Sequence, residues 1–171
     1  MTLLRLLMLI ACLATALPAH AHDGIVVVVV RHAEKDDDDK VDPSLAGSGE
    51  VRAQALAETL AGARLDLAIA TQYRRTRQTA EPAASAAGIP VTLRPVDAAN
   101  AATHAGDLAR ELRALPPGST ALVVGHSNTV PGIVEALSGK PAMPMPETEY
   151  DRYTVVLLDA DGAARVITSR Y

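Results

Sequence analysis

The chain has 171 residues, enough for one domain with a real core, and is 49% hydrophobic against 21% charged, the balance of a folded chain rather than a disordered one. Its aromatic content of 2%, four Tyr with no Phe or Trp, demands an aliphatic core and leaves no stacking platform for single-stranded nucleic acid. The formal net charge of −4 likewise lacks the basic footprint of a nucleic-acid binder.

Residues 1–21 read as a secretory signal peptide. Arg5 and the amino terminus form a small positive region, residues 6–17 are almost wholly apolar, and Ala19-His20-Ala21 is a small-x-small cleavage site. The apolar run is shorter than the ~20 residues of a spanning helix, so the mature chain, 22–171, is expected to hold no integral membrane segment. Leu9-Ile10-Ala11-Cys12 also resembles a lipobox, which would instead make Cys12 a lipidated first residue. With ordinary cleavage the mature protein has no cysteine, hence no disulfide framework and no thiolate metal site.

Residues 25–30 are an unbroken β-branched run, the pattern of a strand buried on both faces of a parallel sheet. An acidic loop follows over 35–43. A helix is expected over 50–60, with Val51, Ala55, Leu56 and Leu60 at helical spacing and Gly62 as its stop. A second buried strand spans 65–71. A helix over 74–87 should be bent or divided by Pro82, and 91–93 fits a third strand. Helix 105–115, strand 120–124 and a helix over about 131–137 come next, the last with Pro131 in its first turn. Residues 139–149 hold three prolines and form a loop. Strands over 153–158 and 163–169 flank the turn Asp159-Ala160-Asp161-Gly162. This alternation predicts a three-layer α/β/α sandwich with a mostly parallel sheet.

Two histidines stand just past buried strands, His32 after Arg31 and His126 after Gly125. Ligands collect at the carboxyl ends of strands in open α/β sheets, so both rings are expected to face one crevice. Strand 65–71 ends at Thr71, and Tyr73-Arg74-Arg75-Thr76-Arg77 brings several guanidinium groups to a helix start, a ready anion site.

Val30-Arg31-His32-Ala33-Glu34 resembles the RHG/RHA signature of the histidine phosphatase superfamily, the phosphoglycerate-mutase-like proteins. Thr71 to Ala80 is similar to its second motif, S-x-x-x-R-A-x-Q-T-A, and Val124-Gly125-His126-Ser127-Asn128 to its third. Leu45-Ala46-Gly47-Ser48-Gly49 with Arg52-Ala53 is similar to its L-T-x-x-G-x-x-R-A helix start. All four motifs occur in family order from about Ile25 onward, and a short exported branch, SixA-like or Ais-like, is the nearest in kind.

The resemblance implies that His32 attacks phosphorus and forms a phosphohistidine, which water then hydrolyses. Arg31, Arg75 and a protonated His126 would hold the equatorial oxygens. Gly125 would let the backbone approach the phosphate, and Ser127 would line the pocket. No metal and no cofactor are implied. Two positions depart from the pattern: Ala46 replaces a threonine, and Thr76 replaces an alanine, both expected to be structural. The general acid is less defined; Asp97 is the candidate, against a plain turn aspartate.

Other features carry less. Asp36 to Asp39 lack the alternating ligands of a calcium loop and read as a solvated run edging the pocket, where they would disfavour highly anionic substrates. Met143 and Met145 read as incidental to a Pro-rich loop. His104 reads as exposed, Glu34 as packing or pairing with an Arg, and Glu147, Glu149 and Asp151 as surface or rim groups. The reading is a metal-independent phosphomonoesterase of the periplasm or envelope, acting on a small phosphate ester or an envelope sugar phosphate. The alternatives are a phosphohistidine-protein phosphatase and a non-catalytic phosphate-binding envelope module.

Overall fold

Six strands form one sheet, in the order β3-β2-β4-β1-β5-β6. In the computed structural model, which describes residues 24–171, they are β1 (Ile25–Arg31), β2 (Leu67–Ala70), β3 (Val91–Leu93), β4 (Thr120–Gly125), β5 (Arg152–Leu158) and β6 (Ala164–Arg170). The leader expected over 1–21, with its cleavage site and Cys12, lies outside the described residues. Strands β3, β2, β4 and β1 pair in parallel, while β5 runs antiparallel to both β1 and β6.

The valine run of β1 serves both faces of the sheet, as strand alternation requires. Val27 and Val29 pack with Leu108 and Leu112 of α3 (His104–Arg113) and with Ile133 and Leu137 of α4 (Val130–Ser138). Val28 and Val30 face the other way, against Leu56 of α1 (Gly47–Thr59) and Ala80 and Ala83 of α2 (Arg74–Ala86). Two helices on each face make the expected three layers. Each fully buried Val or Leu stabilises the fold by ~1.5–3 kcal/mol, so an aliphatic core suffices without aromatic bulk.

Several local expectations change. Helix α1 buries Gly49, Ala53, Leu56 and Ala57, while Val51 is 72% exposed, because the burying face is set by the tight contact at Gly49. A Cβ there would lie 2.2 Å from the carbonyl oxygen of Glu34. Pro82 lies inside α2 without dividing it. His104 is buried rather than exposed, at 8%, since it opens α3 where that helix packs beside α4. Met145 belongs to the core, whereas Met143 is exposed.

The topology itself locates a crevice. From β1 the chain crosses through α1 to β2, beyond β4; from β4 it crosses through α4 on the opposite face to β5, beyond β1. The connections leave in opposite directions from neighbouring strands, and the gap this opens lies at their carboxyl ends.

Candidate active site

At that gap the ladder sets the two histidines side by side. Arg31 pairs with Gly125 as the last step of the β1–β4 register, and the His32 amide donates to the Gly125 carbonyl at 2.9 Å. The rings of His32 and His126 then lie 5.3 Å apart, edge to face.

His32 is held in one tautomer. Its Nδ1 is 2.7 Å from the Ala33 carbonyl, which can only accept, so Nδ1 carries the proton and Nε2 keeps its lone pair. The Ala33 peptide is fixed in turn: its amide donates to Thr79 Oγ1 at 2.9 Å, and the Thr79 hydroxyl donates to the Arg75 carbonyl at 2.7 Å. Burial lowers the His32 pKa to about 4, against the Ala33 hydrogen bond, with Arg75, Arg31 and Lys35 pushing the same way as burial. At neutral pH the ring is uncharged, as a nucleophile must be.

Burial, then His32, Arg75 and Arg31, lower the His126 pKa to about 3, so the ring is neutral in the empty site. Tyr73 meets it edge-on at 5.4 Å.

The positive charge is concentrated just beside these rings. Arg31 is fully buried, and its Nη1 donates to the carbonyls of Pro146, Glu147 and Glu149 at 3.1, 2.7 and 3.1 Å. The Tyr150 ring lies 4.1 Å beneath its guanidinium. Arg75 stacks on Tyr73 at 4.4 Å, and burial pushes its pKa down while Asp42 opposes. The Nε–H groups of both arginines are buried and have no partner among the described residues. An unsatisfied buried donor costs ~1–3 kcal/mol, more for a charged group, so two of them in one crevice mark a place built to meet an acceptor.

The crevice encloses about 710 Å³ and is lined by Arg31, His32, Arg75, His126, Ser127 and Asp97, all anticipated from the sequence, and by Tyr73 and Glu147 among others. Glu147 Oε2 lies 2.8 Å from Arg31 Nη2, and its Oε1 accepts from the Ser127 hydroxyl. Asp97 lines the crevice but also serves as a turn aspartate, Oδ1 accepting from the Ala99 and Asn100 amides at 2.8 and 3.2 Å. Glu34 clamps Arg52 through both oxygens.

The acidic loop corrects a further expectation. None of Asp36 to Asp39 lines the crevice; Lys35 and Lys40, at the ends of that run, do. The aspartates fold the loop on itself and onto α2: Asp38 bonds Ser44 and Arg74, Asp39 accepts from the Val41 and Asp42 amides, and Asp42 accepts from the Arg74 amide. Gly125 has a packing reason beside the one anticipated. A Cβ there would lie 2.8 Å from Thr129 Oγ1, so the start of α4 by itself already constrains this position.

Thr71, Thr79 and Tyr150 were missed. The first two stand within the motif that carries Arg75, and their hydroxyls were the available signal. Tyr150 reaches the site from a loop with no local pattern.

The model of the histidine phosphatase superfamily (branch 1) matches residues 27–96, a stretch that includes Arg31, His32 and Arg75. No curated protein matches the sequence. Among solved structures, the protein histidine phosphatase SixA complexed with tungstate is similar at 20% identity and a TM-score of 0.62, covering 85% of this chain and 96% of that one. The mycobacterial glucosyl-3-phosphoglycerate phosphatase complexed with VO3 is similar at 18% identity and a TM-score of 0.63, covering 85% and 98%. A protein described as mycobacterial hydrolase 1 has 16% identity and a TM-score of 0.61, covering 86% and 99%. Over residues 27–96 this chain is similar to the histidine phosphatase superfamily, and it shares its fold with these phosphatases.

Proposed function

We propose that this chain is a histidine phosphatase that hydrolyses phosphomonoesters in two displacements at His32, without a metal ion, in the periplasm or cell envelope. The observation that carries the reading is the meeting of one ring nitrogen with its lone pair, His32 Nε2, with two buried guanidinium Nε–H donors that have no partner among the described residues.

In the first displacement Nε2 attacks phosphorus, the P–O bond to the alcohol breaks, and the leaving oxygen takes a proton from a crevice acid, with Asp97 the candidate. In the second, water attacks the phosphohistidine, restores neutral His32 and frees inorganic phosphate. Arg31 and Arg75 hold the equatorial oxygens and supply the positive charge a metal would otherwise bring; losing one such donor costs ~10²–10³ in kcat. His126, Gly125 and Ser127 complete the phosphate contacts.

The names of the similar structures span a protein phosphohistidine and a phosphorylated sugar acid, which supports the phosphoryl group, rather than one alcohol, as the common element. The signal-like leader supports export, and with it a small phosphate ester or an envelope sugar phosphate as substrate. A phosphohistidine-protein substrate is the second reading. One observation favours it: both crevice carboxylates are engaged, Asp97 in its turn and Glu147 on Arg31, and a phosphohistidine departs readily with little acid assistance.

The test is phosphate release by the mature chain beside His32→Ala. Release should vanish in the variant, and quenching with labelled substrate should trap phosphate on histidine in the wild type. Equal release from both proteins overturns the mechanism. Fractionation of cells making the full chain should find it outside the cytoplasm, cut after Ala21; a cytoplasmic, uncut chain refutes the location.

A further inference from the structure

A line of hydroxyl groups runs from His126 into the start of α2. His126 Nε2 lies 3.0 Å from Thr71 Oγ1, Thr71 Oγ1 lies 2.9 Å from Thr76 Oγ1, and Thr76 Oγ1 lies 2.8 Å from the Tyr73 carbonyl oxygen. Polar atoms this close need a hydrogen between each pair.

The carbonyl has no hydrogen to give, and each threonine has one hydroxyl proton. Thr76 must therefore give its proton to a backbone carbonyl, Tyr73's at 2.8 Å with Thr71's beside it at 3.3 Å. Thr71 must fill the gap to Thr76, having then nothing left for His126. The remaining hydrogen can come only from His126 Nε2. With the Thr76 proton committed to a carbonyl, the line from Thr76 to His126 admits one arrangement. Thr71 is 3% and Thr76 0% exposed, so bulk water has little access to replace either bond.

We infer that Thr76, acting through Thr71, fixes His126 as the Nε2–H tautomer and leaves Nδ1 as the nitrogen that meets a bound phosphoryl group, taking up a proton as that anion binds. The inference rests on the proposed phosphate site. It gives Thr76 a role as a positioning residue, beyond the structural one expected for a departure from the family's pattern. With alanine at 76 the line ends at Thr71, whose proton can then point to the ring or away from it, and the tautomer is no longer set.

Proton uptake follows from the charges around the ring. His32 and Arg31 face it from the end of β1, Arg75 and Tyr73 from the start of α2, and His104 from α3. Burial first, and then the charges among these, keep the resting ring neutral. A phosphoryl anion held by Arg31 and Arg75 reverses the local field, and an Nδ1–H then becomes a donor to one of its oxygens. The proton arrives on the phosphate monoanion or from solvent, so the mass balance is one anion and one proton per site.

Nitrogen-15 NMR of the mature protein at pH 7 should show His126 in the Nε2–H form, and titration with inorganic phosphate in two buffers of different ionisation heat, alkaline enough that phosphate is mostly the dianion, should show net proton uptake. An Nδ1–H resting form overturns the inference outright, whatever the variants do. Thr76→Ala should mix the tautomers and lower kcat on a phosphate ester about tenfold with a smaller change in KM, and Thr76→Ser should restore both. A Thr76→Ala spectrum identical to wild type refutes the role of Thr76. These readouts are separable from the proposed activity: wild type and His32→Ala releasing phosphate equally would sink the phosphatase mechanism while leaving the resting tautomer as measured.

Discussion

Replacing Gly125 by alanine distinguishes two reasons for a glycine beside the second histidine. The added Cβ would lie 2.8 Å from Thr129 Oγ1 and 3.3 Å from Val130 Cγ2, closer than unstrained atoms tolerate. Thr129 Oγ1 accepts the His126 amide at 2.9 Å, so the methyl must either push this oxygen away or move β4. Overpacking of this kind costs ~1–3 kcal/mol, and leaving the amide without its acceptor costs ~1–3 kcal/mol. Gly125→Ala alone should therefore lose about 2–3 kcal/mol in urea unfolding. Thr129→Ala alone should lose about 1 kcal/mol, since it removes the acceptor without the clash. The double variant should lose less than the sum by about 1 kcal/mol, because the worst contact is gone. If the costs add within about 0.5 kcal/mol, or if Gly125→Ala keeps its stability and only raises KM, the packing argument is wrong and the glycine serves phosphate approach.

Glu147→Gln removes a carboxylate that any bound phosphoryl group must share Arg31 with; because Glu147 is 78% exposed, screening limits the repulsion to roughly 1 kcal/mol. Inorganic phosphate should then inhibit about fivefold more tightly, and weaker inhibition would show that Glu147 orients Arg31 instead. Ala46 is the extended N-cap of α1 and makes no side-chain cap bond, so Ala46→Thr should raise the unfolding free energy by about 1 kcal/mol; no gain in urea melts refutes the capping argument. His32 and His126, lowered to about 4 and about 3 from 6.5, bind protons less readily folded than unfolded. Their contribution to stability is complete above pH 6.5 and is lost as pH falls through that value toward 4 and 3. Urea midpoints at pH 7 and pH 4.5 should show this loss, and His32→Ala should lessen it; an undiminished slope in the variant refutes the assignment.

What could be read in the sequence was whatever depends on near neighbours. The run of valines in β1 declares a two-faced strand because alternation places each side chain without outside help. Arg31, His32, Arg75 and His126 could be placed together because each closes or follows a strand whose direction in a parallel sheet is fixed. Partners brought from far along the chain were not legible. Arg31 meets the carbonyls of the loop before β5, a contact set by how β5 pairs with β1 rather than by any local pattern. His104 looked exposed for the same reason, since only the packing of α3 beside α4 covers it. The polarity of the hydroxyl line needed distances, though Thr71 and Thr76 were both in view within their motif.

The placement of the tyrosines has an optical consequence. With no tryptophan and four tyrosines, the near-ultraviolet emission of the protein comes from phenol rings alone. Two of the four belong to the crevice: Tyr73 stacks on Arg75 and touches His126, and Tyr150 lies under Arg31 and beside His32. The other two, Tyr153 and Tyr171, face one another elsewhere on the sheet and supply a steady background. Anything that changes the charge or posture of the two arginines alters the surroundings of half the emitters, so the protein reports on its own site in a fluorimeter, without an attached dye.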